Sequence, residues 1–155
     1  MLTIEQIVDI ARRYYRERFD QEIRGGCSEE LVNELRSRIC EKYGYELPDG
    51  YCQLLRLADG FGHDGYGIYA SRPIFENPGD EWPAKDGLVE ANEGFEVDGV
   101  AYPGILQMGY GDDTFFGVDM RTGIFHRYDI YGRPLKDFQT FDEMFGYMYE
   151  RRFDV

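Results

Sequence analysis

The sequence predicts an α+β fold, with N-terminal helices, an antiparallel β-sheet meander and a C-terminal helix packed on the sheet. Three observations predict it. Up to Gly60, apolar residues recur at helical spacing between good capping residues. From Ile105 to Ile130 they alternate or cluster in short runs separated by Gly and Asp turns. After Thr140 the helical spacing returns. Helices and strands that segregate along the chain, rather than alternate, place helices on one face or end of an antiparallel sheet.

The first helix opens at Thr3, where Gln6 completes a capping box. Ile4, Ile7, Val8, Ala11, Tyr14 and Tyr15 form its apolar face, with Arg12, Arg13 and Arg16 turned away, and Gly25-Gly26 is expected to stop it. Ser28 caps the second helix, and Glu29 and Glu30 suit the positive end of its dipole. Leu31, Leu35 and Ile39 give its stripe and Gly44 its end. Pro48 fits a first helical position, followed by a third helix that buries Tyr51, Leu54, Leu55 and Ala58 and closes at Asp59-Gly60. Residues 60–67 read as a glycine-rich loop and Ile68-Tyr69-Ala70 as a short strand. Residues 75–98 carry no clear pattern. Ile105–Tyr110 and Thr114–Val118 read as strands joined by the turn at Gly111-Asp112-Asp113. Ile124, His126, Tyr128 and Ile130 alternate with Phe125, Arg127 and Asp129. Tyr131-Gly132-Arg133-Pro134 turns the chain again. Thr140 and Glu143 make a second capping box, before a closing helix that buries Phe141, Met144, Phe145 and Met148.

The 155 residues fit one domain spanning 1–155, and a hydrophobic fraction of 43% provides for a packed core. No apolar run approaches a membrane span, and the N-terminus lacks the basic and apolar regions of a secretory signal, so a cytoplasmic protein is expected. Cys27, Cys40 and Cys52 form no metal-binding or redox spacing and read as free thiols or small buried hydrophobes. With Lys+Arg 17 against Asp+Glu 30, the net charge is -13. That balance disfavours direct contact with nucleic acid and favours a basic protein partner, and with no apolar span no membrane partner is expected.

No GxSxG, HExxH or Walker loop is present, and no cofactor is implied. His63 beside Asp64 could form a pair but lacks a nearby nucleophile, and His126 falls in phase with a sheet face. The adjacent acids of Gly109-Tyr110-Gly111-Asp112-Asp113 repel phosphate and lack calcium-loop spacing, which leaves a tight turn. The distinctive feature is acidic. Residues 75–98 carry Glu76, Asp80, Glu81, Asp86, Glu90, Glu93, Glu96 and Asp98 against one base, Lys85. Such a stretch is either a solvated face or an electrostatic docking surface. Phe75, Trp82 and Phe95 within it tilt the reading toward docking, because aromatics anchor interfaces. The eight acids and Trp82 are the candidate partner-binding residues.

Leu47-Pro48-Asp49-Gly50-Tyr51, followed by Leu54-Leu55 and Asp59-Gly60, resembles the LP-x-x-Y…L-L…N-G stretch of the SUKH superfamily of bacterial immunity proteins and fungal cell-wall-assembly regulators, with Asp59 where Asn is commoner. Met108–Phe116, Gly123-Ile124-Phe125 with Tyr128-Asp129, and Thr140–Phe145 resemble its sheet hairpins and closing helix. The insert from Glu76 onward has no counterpart. The resemblance covers most of the chain from Tyr43 onward. It implies a bent antiparallel sheet with flanking helices. It implies a non-enzymatic, protein-binding role: an immunity protein, monomer or weak homodimer, that covers a cognate bacterial toxin such as a basic nuclease. A regulatory module without a toxin is the alternative, and a hydrolase built on His63 and Asp64 a third. An adjoining toxin gene distinguishes the first from the second, and turnover lost on His63→Ala identifies the third.

Overall fold

A computed structural model describes residues 1–153. Its helical layer starts with α1 (Ile4–Phe19), α2 (Glu29–Tyr43) and α3 (Asp49–Leu57). The Thr3–Gln6 capping box opens α1 in both directions. The helix ends at Asp20, ahead of the two glycines expected to stop it. Asp20 adopts φ 50°, a conformation Asp tolerates better than most residues; its N–H bonds back to the Arg16 carbonyl and the Gln21 N–H to the Tyr15 carbonyl. Gly26 has a different use: a Cβ there would lie 1.8 Å from the Arg56 carbonyl oxygen, so the linker runs flush against α3.

Ser28 and Gly44 bound α2 as expected, but its buried stripe is Val32, Leu35 and Ile39, with Leu31 only half-buried. Pro48 is the N-cap of α3 rather than its first helical residue. Tyr51, Leu54 and Leu55 are buried, and the Tyr51 hydroxyl donates to the Tyr69 carbonyl at 2.8 Å.

The glycine-rich stretch is a hairpin, not a loop. β1 (Gly62–His63) and β2 (Tyr66–Ile68) flank Asp64 and Gly65, whose φ values of 54° and 79° match the primed turn that two-residue hairpins favour. A long excursion then leads to α4 (Leu88–Asp98), a helix within the stretch that shows no pattern in sequence. β3 (Ile105–Gly111), β4 (Thr114–Asp119), β5 (Ile124–Tyr128), β6 (Pro134–Phe138) and α5 (Phe141–Tyr149) complete the chain. β5 stops at Tyr128 rather than Ile130, because Asp129 Oδ1 accepts the Tyr131 and Arg133 N–H groups and turns the chain. β6 is invisible to an apolar pattern: four of its five residues are exposed, as suits an edge strand with Pro and Lys.

The six strands pair antiparallel in sequential order, which leaves β1 and β6 as the edges of an open sheet. Bulges interrupt the register at Gln107/Gly109 and Arg127/Tyr128. Leu106, Met108, Phe116, Val118, Phe125 and Phe138 from the sheet share one core with α1, α2, α3 and α5. Phe61, Tyr66 and Tyr69 belong to that core too. α4 packs on β3, where Asn92 donates to the Leu88 and Gln107 carbonyls at 2.9 and 2.8 Å and accepts the Gln107 N–H at 3.0 Å.

Candidate functional site

The acidic segment divides into two parts with different chemistry. The first is a finger, residues 71–87, between β2 and α4. Its base is pinned by backbone bonds: Ala70 N–H to the Asp86 carbonyl at 2.8 Å, Leu88 N–H to Ala70 at 2.9 Å and Ile74 N–H to Lys85 at 2.9 Å. Ile74 plugs into the protein as a buried residue. The tip is the turn Asn77-Pro78-Gly79-Asp80, with Gly79 at φ 87°. Pro and Gly in successive central positions, with positive φ at the second, match a type II turn. The Asp80 N–H bonds to the Asn77 carbonyl, and the Asp80 carboxylate accepts the Asn77 N–H at 3.0 Å.

This finger presents Trp82 at 77% exposure and Phe75 at 50%. Glu76, Asp80, Glu81 and Asp86 are exposed around them, and none of these carboxylates meets a cation within ion-pair distance among the described residues. Asp86 is close enough to add to the burial that pushes the Tyr69 and Tyr110 hydroxyls up.

The second part is α4, where the acids are internally compensated. Arg38 donates to Glu90 at 2.8 Å, and the Lys42 ammonium lies 3.9 Å from Glu93 and 3.5 Å from Glu96. These two cations of α2 and three carboxylates of α4 form one seam between the helices. The Tyr43 hydroxyl also donates to Glu96, at 3.4 Å. Burial first, then the Glu96 and Glu93 charges, push that hydroxyl up to about 12. Asp98 stands exposed at the helix end, beyond the seam. Phe95 does not join the exposed aromatics: it is half-buried and packs on Tyr69 at a ring distance of 6.3 Å. The structure therefore leaves Glu76, Asp80, Glu81, Trp82 and Asp86 exposed along the finger and assigns Glu90, Glu93 and Glu96 to the α2–α4 seam. Arg38 and Lys42, spaced four apart on α2, are the residues a charge count along the chain passes over; acids spaced three apart at 90, 93 and 96 are the matching signal.

The histidines are occupied elsewhere. His63 Nε2 lies 3.0 Å from the Arg152 carbonyl, which only accepts, so Nε2 carries the proton and Nδ1 accepts from the Tyr15 hydroxyl at 2.7 Å. Phe153 stacks on the imidazole at 4.0 Å. The His63–Asp64 pair that a hydrolase would use is not formed; Asp64 faces Arg152 at 3.6 Å instead. His126 Nδ1 pairs with Asp137 at 2.7 Å on the sheet face. Asp59 is buried, with its carboxylate accepting the Ser71 N–H and hydroxyl, both at 2.7 Å, so this residue of the LP…NG-like stretch ties the end of α3 to the finger. Among the described residues no three His, Cys, Asp or Glu side chains are grouped to hold a metal ion, the three cysteines are free, and no helix is long and apolar enough to cross a membrane.

No protein-family model matches the chain, and no curated protein sequence matches it.

Proposed function

We propose that this chain is a non-enzymatic binding domain that neutralises a basic protein partner, a toxin domain such as a nuclease, by docking it on the finger. The observation that carries this reading is Trp82 and Phe75, exposed at 77% and 50% on a finger whose carboxylates meet no cation within ion-pair distance among the described residues. An exposed Trp in a pinned loop supplies a rigid apolar anchor, and ordering it in advance lowers the entropy lost on binding. The surrounding carboxylates steer a basic partner and stand in for the phosphates that such a partner recognises. The SUKH resemblance of the flanking blocks supports the same role.

The experiment is capture of a partner by the tagged chain from its native lysate at low and high salt, run beside Trp82→Ser and the triple variant Glu76→Gln/Glu81→Gln/Asp86→Asn. A basic protein held by the wild-type chain, weakened by salt and lost with Trp82→Ser supports the reading. A partner held equally by all three chains places the docking surface elsewhere and overturns it.

A further inference from the structure

At the base of the finger, Lys85 lies across the glycine-rich stretch. A Cβ on Gly60 would sit 3.1 Å from Lys85 Cγ, and one on Gly62 would sit 3.2 Å from its Nζ. The two glycines leave the track along which this side chain runs, stem over Gly60 and ammonium over Gly62. Lys85 is half-buried, and its ammonium has no acceptor among the described residues, in a chain where acids outnumber bases 30 to 17. Exposed surface lysines go unpaired routinely; a half-buried one among so many carboxylates leaves a charge uncompensated at a cost.

Lys85 borders a cleft of about 350 Å³. Arg24, an exposed residue, lines the same cleft, also without an ion-pair partner among the described residues. Tyr15, Ile23 and Phe61 supply its apolar walls. Two acids border it as well, Glu22 and Glu76. Glu22 is already bound by Arg16 through two bonds at 2.8 and 3.0 Å, which hold its carboxyl below the usual range. Glu76 makes no ion pair with either cation. Gly62 contributes backbone as well. The Ile68 N–H donates to the Phe61 carbonyl, so the next pair, Gly62 and Gly67, falls in the non-bonded phase of the ladder. Gly62 thus turns its N–H and C=O away from β2, at a sheet edge with no further strand.

We propose that this cleft binds a small oxyanion, a carboxylate or a phosphate monoester, carried on an apolar body about the size of one ring. Lys85 supplies the compensating charge, Arg24 a planar fork for two oxygens and Gly62 a backbone donor. Tyr15, Ile23 and Phe61 receive the apolar body. This site is separate from the docking reading: the finger's outer surface takes cations, and the cleft at its base takes an anion.

The test is amide NMR of the labelled chain, titrated separately with benzoate, phenyl phosphate and inorganic phosphate. Saturable shifts are expected at Arg24, Gly60, Phe61, Gly62 and Lys85. Lys85→Met is expected to weaken binding by about ten- to hundredfold, from the loss of one charged hydrogen-bond partner, while Lys85→Arg retains it. Unchanged amide positions across β3 to β6 verify that each variant is folded. Saturation by benzoate alone identifies a carboxylate ligand, and tighter binding of phenyl phosphate a phosphate monoester; both support the site. No saturation by any probe at millimolar concentration, or equal binding by folded Lys85→Met, overturns it.

Discussion

The finger and α4 carry four acids each, yet their environments are opposites. On α4, Glu90, Glu93 and Glu96 meet Arg38 and Lys42 across a helix–helix seam at 2.8 to 3.9 Å. On the finger, Glu76, Glu81 and Asp86 meet no cation among the described residues, and Trp82 stands on the same finger at 77% exposure. The difference shows that a run of like charge in sequence is not yet a charged surface. Its partners can come from a helix far earlier in the chain, and only the uncompensated remainder generates a field that reaches a second molecule.

The comparison breaks first at its structural root. If α4 is a fixed part of the fold rather than a mobile acidic arm, its staple to the sheet must matter. Asn92→Ala strips two donors and one acceptor from groups buried beside β3. Unsatisfied buried groups of this kind cost ~1–3 kcal/mol, so a fall in Tm of about 3–12 °C is expected by calorimetry. A change under about 1 °C would mean that α4 contributes little to the cooperative unit.

The seam also has a pH signature. In the folded chain the Tyr43 hydroxyl is pushed up to about 12 by burial and the neighbouring acids, and Tyr45 to about 12 by burial alone. The folded state then keeps protons that the unfolded chain releases near its ordinary value of 10.0. Proton binding that favours the folded state makes stability fall as pH rises, here through the window between 10 and 12, with the full contribution present below it. Denaturant melts across that window should show the fall, and Tyr43→Phe should make it shallower. An unchanged slope in Tyr43→Phe would remove the hydroxyl from the seam's energetics.

Lys42→Met tests the ion pairs themselves. Lys42 and both its partners are substantially exposed, and such pairs are worth ~0–1 kcal/mol. A small loss of stability that shrinks with added salt is expected. The sharper consequence concerns charge: removing Lys42 leaves Glu93 and Glu96 uncompensated and extends the acidic surface from the finger onto α4. If steering sets association with a basic partner, Lys42→Met should raise the association rate at low salt, whereas neutralising Glu76, Glu81 and Asp86 should lower it by about tenfold. Opposite signs in these two rates would separate a paired acid from a free one.

Much of this was legible in the sequence, and the gaps have physical causes. Thr3, Ser28, Gly44 and Thr140 mark real helix ends because capping is local chemistry. The turn at Asp112 and Asp113 is real for the same reason, with φ of 49° and 56°. β1 escaped notice because two residues carry no period, and β6 because an edge strand that faces solvent needs no apolar face. α4 escaped because its inward residues are few: Leu88, Val89 and the polar Asn92. Within the candidate site, the acids and Trp82 could be read directly. The pairing by Arg38 and Lys42 could not, since it arises only when α2 and α4 meet in the fold. Phe95 reads like Trp82 along the chain, but α4 carries Phe95 onto Tyr69 while the finger leaves Trp82 in solvent.

The smallest expected effect on stability is the most informative for function. Trp82 has 77% of its surface in solvent and sits on a finger whose shape comes from backbone bonds at its base and from the Asn77–Asp80 turn. Trp82→Ser therefore removes little buried area, and a change within about 0.5 kcal/mol is expected in denaturant melts. A large aromatic that the fold does not need is free to anchor a partner, and interface anchors of this kind cost ~2 kcal/mol or more when truncated. Trp82→Ser should thus leave the melt unchanged and weaken a captured partner about thirtyfold or more. If the melt falls sharply instead, Trp82 is a packing residue, and the contrast between finger and seam is one of charge alone.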